Sequence, residues 1–117
     1  MVLNTTNRST QIAAVNVRAT IESALEAIKQ FINDNRNTET VLIRKIKQNL
    51  GLIDRAINVF REDQKKILEN TSDELALELL QTQVMNFIIS VDQKTKSERL
   101  KEVEHLITTA KLTLATA

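Results

Sequence analysis

Across its 117 residues the chain has one glycine, Gly51, and no proline. These two residue types make most tight turns, because glycine reaches positive φ without strain and proline presets its own φ. A β-sheet needs a tight turn at the end of nearly every strand, whereas a helical bundle needs only a few connections. The expected fold is therefore all-α: an antiparallel four-helix bundle, or three long helices if the last two are fused. The length suits one domain. Residues 1–9 are expected to be a flexible N-terminus and residues 10–117 a single helical-bundle domain.

Composition narrows the function. There are 16 basic and 15 acidic residues, for a formal net charge of +1. So balanced a chain sets up no general field that would draw in nucleic acid or an anionic membrane. With no Cys, disulfides, thiolate catalysis and cysteine metal sites are excluded. A reducing compartment fits, and the cytoplasm is the expected location. The opening stretch MVLNTTNRSTQ lacks a charged segment followed by an apolar one, so no secretion signal is expected. No apolar run reaches the roughly 18 residues of a membrane span. The N-x-[ST] matches at Asn4, Asn7 and Asn70 carry no meaning without a secretory route.

Apolar spacing places the helices. Ala14, Val17, Ile21, Ala24, Leu25, Ile28, Phe31 and Ile32 recur at threes and fours and predict a first helix over 10–33. Asn33-Asp34-Asn35-Arg36-Asn37 ends it, since Asn and Asp side chains compete for backbone hydrogen bonds and tolerate the left-handed region. Ile43, Ile46, Leu50, Ile53, Ile57, Phe60 and Ile67 form a coiled-coil-like seam in which only Gln64 is polar. They predict one continuous helix over 38–69, with Gly51 permitting a close helix crossing. Thr71-x-x-Glu74 has the form of a capping box and opens a third helix over 72–92. Beyond it the apolar phase shifts, and Thr95-x-x-Glu98 reads as a second capping box. A turn there, followed by a fourth helix over 96–115, is favoured over one long fused helix.

Candidate chemistry is sparse. Glu102 and His105 have the Glu-x-x-His spacing of di-iron carboxylate bundles, but those sites need further inward carboxylates, which only Glu22 and Glu26 could supply. The helical wheel turns Glu102 and His105 away from the core, and His105 is the sole His, with no nucleophile or carboxylate at a meaningful spacing. Arg44, Lys45, Lys47 and Arg55 make the densest basic patch and could meet phosphates, but no aromatic side chain stands near to stack on bases. A solvated helix face accounts for both groups. One glycine cannot form a phosphate loop. No catalytic residue, cofactor site or metal site is assigned.

The remaining signal is ELALELLQTQVMNFIISV, residues 74–91. Leu77, Leu80, Val84, Phe87, Ile88 and Val91 supply its core seam, while Leu75, Leu79, Met85 and Ile89 lie on the other side of the wheel. That second side either covers a partner, belongs to a helix buried at the centre of its own bundle, or is scattered exposure of the ordinary kind. The expected function is a non-enzymatic module for protein–protein interaction or self-association, of adaptor, structural or regulatory type. Its interface would combine Val41, Leu52 and Val59 with Leu75, Leu79, Met85 and Ile89, and its partner would be a second copy or another helical protein. The alternative is a nucleic-acid accessory protein using Arg44, Lys45, Lys47 and Arg55, with nucleic acid not the expected partner. A metal- or small-ligand-binding bundle comes last.

Overall fold

A computed structural model describes residues 8–114, and those residues are helical with no strand among them. The first helix, α1, spans Arg8–Asn33. It buries Ala14, Val17, Ile21, Ala24, Leu25, Ile28 and Ile32, the side chains on the stripe read from the sequence. Phe31 is only half-buried, with the Lys45 ammonium 5.2 Å from its ring centroid. Arg8 and Ser9, expected to be flexible, already belong to α1; residues 1–7 lie outside the described residues. After α1 the chain turns without glycine. The Asp34 carboxylate accepts from the backbone N–H of Arg36 at 3.0 Å and from its guanidinium at 2.9 and 3.0 Å.

Helix α2, Glu39–Asp63, starts where the Thr38 hydroxyl accepts the Val41 N–H. It buries Ile46, Leu50, Ile53, Ile57 and Phe60. The expected continuous helix to residue 69 is interrupted at Gln64 and followed by a single turn, α3, at Lys65–Leu68. The break falls at the one polar seam position. The Thr10 hydroxyl donates to Gln64 Oε1 at 2.6 Å, a bond that holds the amide at the mouth of the core. After the irregular residue the phase moves by one, so Leu68, at 1% exposure, is buried where the uninterrupted rhythm predicts Ile67. Asn70 then takes a φ of 61°, a left-handed conformation that Asn accepts more readily than most residues.

Helix α4 spans Ser72–Ser90. Its capping box is half made. Thr71 accepts the Glu74 N–H, while the Glu74 carboxylate turns away to Arg61. A short 3-10 turn, Val91–Gln93, and an extended Lys94 separate α4 from α5, Lys96–Leu112. The second capping box is complete: Thr95 accepts the Glu98 N–H, and Glu98 accepts the Thr95 N–H at 2.8 Å. The last two helices are therefore separate.

The four long helices close a ring in which α1 touches α2 and α5, and α4 touches α2 and α5. Side-chain links show which ends meet. At one end Lys96 reaches Asn35 at 3.4 Å, Lys47 pairs with Asp92 at 2.8 Å, and Arg99 meets Glu39. At the other end Thr10 meets Gln64, and Arg61 meets Glu74. Successive long helices thus run up and down in a body of 47 × 20 × 20 Å. Helix α4 takes a corner of this ring and is not a central helix.

Arg99 is the one charged side chain of the first end that is buried, at 3% exposure. Its Nε and Nη2 donate to the Val91 carbonyl at 3.0 and 2.9 Å, alongside the Lys94 N–H that closes the 3-10 turn on the same oxygen at 3.2 Å. Around it stand exposed or half-exposed carboxylates held in charged form. The Arg36 guanidinium lowers Asp34 to about 2, Arg99 lowers Glu39, Lys47 lowers Asp92, and the Thr95 backbone N–H lowers Glu98.

Two expectations follow from this packing. A Cβ placed on Gly51 meets nothing within 4 Å, so the residue serves no close crossing and only weakens α2. Gly51→Ala should raise stability by about 0.5–1 kcal/mol, read as a higher urea midpoint; a loss would reveal a neighbour at that position. The second concerns pH. Carboxylates whose folded pKa lies below the unfolded value add stability that is complete above the unfolded range and disappears as pH falls toward the folded pKa. With ordinary values of 3.8 for Asp and 4.5 for Glu, the urea midpoint should hold steady from neutrality to about pH 5 and then decline toward pH 2. Asp34→Asn should flatten the most acidic part of that decline, and an unchanged curve would contradict the Asp34 assignment.

Candidate interaction surface

Helix α4 carries two apolar rows. Leu77, Leu80, Val84, Phe87 and the following Val91 face the core and are at most 1% exposed. On the opposite side Leu75, Leu79, Thr82, Asn86 and Ile89 recur at intervals of four and three, a heptad seam in its own right. Met85 flanks it. The exposures of its apolar members are 68% for Leu75, 54% for Leu79, 41% for Met85 and 71% for Ile89. The polar members make local bonds, Thr82 donating to the Glu78 carbonyl at 3.0 Å. Glu78 is exposed.

A polar network ties the edge of α4 to α2. Arg61 donates to Glu74 and Gln81, and Gln81 Nε2 donates to Asp54 Oδ1 at 3.1 Å and to Asn58 Oδ1 at 2.7 Å. This network divides the surface expected to be continuous. Leu52, at 46%, and Val59, at 57%, are exposed, but they sit on the α1 side of α2. There they line a groove of about 520 Å³ with Ala13, Asn16, Val17 and Thr20 of α1. Val41 is half-buried. The seven residues expected to form one interface therefore form an α4 row and a separate α1–α2 groove. The helical wheel gives each residue's azimuth within its own helix; it does not say which neighbour stands on which side. Ile12, at 53%, and Val15, at 49%, add exposed apolar surface on α1, and Leu112, at 75%, adds it on α5. Nothing in the sequence reading singled these out, because they fall outside each helix's stripe.

The basic patch is partly engaged. Lys45 Nζ donates to Asn37 Oδ1 at 2.9 Å and sits over Phe31. An aromatic ring thus does stand beside the patch, with that ammonium over it. Lys47 pairs with Asp92. Arg44 and Arg55 are exposed.

The acidic candidates are dispersed. Glu22 is half-buried and Glu26 exposed on α1, where they border a groove with Lys111 of α5. Glu102 is half-buried, closer to the interior than the wheel predicts, and His105 is exposed. Among the described residues no three His, Cys, Asp or Glu gather closely enough to hold a metal ion, and no helix is long and apolar enough to cross a membrane. The chain matches no protein-family model, no curated protein and no solved structure.

Proposed function

We propose that the protein is a non-enzymatic interaction module, adaptor, structural or regulatory in role, that associates through the outer face of α4. Its partner is an apolar helical surface, on a second copy of the chain or on another helical protein. The observation that carries this reading is the row Leu75, Leu79, Met85 and Ile89, four large apolar side chains on one face, each 41% or more exposed. Fully burying one such side chain is worth about 1.5–3 kcal/mol, and several together offset much of the entropy lost on association. Single exposed apolar residues are ordinary on any surface, whereas an aligned row marks a place to bind. A cytoplasmic setting suits a chain that builds its stability without cysteine.

Light scattering on a sizing column, from low micromolar to millimolar protein, tests the self-associating form. The molar mass should climb above that of one chain as concentration rises. Ile89→Glu, on a side chain outside the core, should hold the protein at a single-chain mass with its helix content unchanged. A single-chain mass at every concentration, identical in the variant, would contradict self-association.

A further inference from the structure

The exposed apolar residues of α4 are arranged symmetrically about Thr82. Leu79 and Met85 stand three positions before and after it, and Leu75 and Ile89 seven. At about 100° per residue, Leu75 and Ile89 lie about 20° to either side of Thr82, and Leu79 and Met85 about 60° to either side. Thr82 is thus the centre of the row both along the helix and around it. A row that reads the same in both directions is complementary to its own copy running the other way, a property that a foreign partner helix does not require. Resting on the reading of α4 as an association face, we infer that the row is covered by the α4 of a second copy, packed antiparallel with the two Thr82 side chains at the two-fold axis.

The pairing is complementary level by level. Leu75 of each copy meets Ile89 of the other, and Leu79 comes level with Met85. Between those two, Asn86 of one copy faces Glu78 of the other, an amide donor against a carboxylate. Both are exposed in the single chain. Thr82 brings no unpaired hydroxyl into the contact, because it already donates to the Glu78 carbonyl at 3.0 Å. Leu75, Thr82 and Ile89 are seven apart, the spacing that keeps two helices in contact at a crossing angle of about 20°. Charge fixes the direction. Helix α4 contains Asp73, Glu74 and Glu78 and no Lys or Arg. A parallel pair sets each of these carboxylates level with its own copy, a like-charge arrangement. Antiparallel packing moves the two acidic first turns to opposite ends of the contact. Both copies offer the same surface, so the contact is isologous and closes at a dimer.

The chain has no cysteine, so single-cysteine variants of the full chain test the pairing by disulfide formation under mild oxidation. The concentrations are those at which light scattering finds more than a single-chain mass. Thr82→Cys should give a linked dimer about tenfold faster than Leu112→Cys, an exposed control on α5. Leu75→Cys and Ile89→Cys should each link to themselves no faster than the control. Antiparallel packing holds like positions 14 residues apart along the axis, about 21 Å, which is beyond disulfide reach. Their equimolar mixture should link position 75 to position 89 as fast as Thr82→Cys links to itself. All three positions are exposed, and circular dichroism checks that each variant is folded. The mass of the unaltered protein should level off at twice that of one chain; a mass that keeps climbing overturns the closed pair. Fast self-linking by Leu75→Cys and Ile89→Cys, with no gain in the mixture, means a parallel pair and overturns this inference while α4 remains the association face. Linking no faster than the control, in a protein that does assemble, overturns it because some other surface meets α4. If the unaltered protein is a single chain at every concentration, this inference and the self-association reading fall together.

Discussion

The shared core admits one side of each long helix, and α4 carries more large apolar side chains than one side can hold. In a ring of four helices each member has two neighbours and one outward face. Leu77, Leu80, Val84 and Phe87 fill the inward side of α4. Leu75, Leu79, Met85 and Ile89 are left on the outward side because about 100° per residue cannot bring both rows to one core. Among the described residues the other long helices each leave fewer large apolar side chains exposed: Ile12 and Val15 on α1, Leu52 and Val59 on α2, and Leu112 on α5. The outward row of α4 is a consequence of the fold's geometry as much as of composition.

With one glycine and no proline, the connections rest on side chains that bond to backbone. Asp34 holds the first turn, Thr71 and the left-handed Asn70 the second, and Thr95 with Glu98 the third. One end of the bundle adds a buried cation: Arg99 donates to the Val91 carbonyl and reaches Glu39. Hydrogen bonds to a charged donor of this kind are worth roughly 1.5–3 kcal/mol each. The ends of the bundle are therefore fixed by polar contacts and its length by aliphatic ones.

Much of this was legible in the residues. The α1 stripe, the core seam of α4 and the complete box at Thr95 and Glu98 follow from local spacing and local hydrogen bonding, which a sequence states directly. Features that depend on distant partners were not legible. The break at Gln64 involves Thr10, 54 positions away, and a Gln in an otherwise helical run gives no sign of a stop. Nothing in the local spacing of the fourth helix marks Arg99 as buried, yet the turn of the chain places its guanidinium on the Val91 carbonyl. Gly51 looked like a crossing point, and only the position of neighbouring helices shows that nothing approaches it. The apolar residues of the candidate interface were identifiable one by one. Their division between the α4 row and the α1–α2 groove depends on which side of α2 each neighbour occupies.

Self-association through α4 requires that its outer row be covered when copies meet. Hydroxyl-radical footprinting of the full chain, dilute and concentrated, reads this at the side chains themselves. Met85 and Leu79 should be oxidised rapidly in dilute protein and progressively protected as concentration rises, while Leu112, 75% exposed on α5, should react at the same rate throughout. Equal rates for Met85 and Leu79 at every concentration would mean that no copy covers α4, and the assembly described here would not exist.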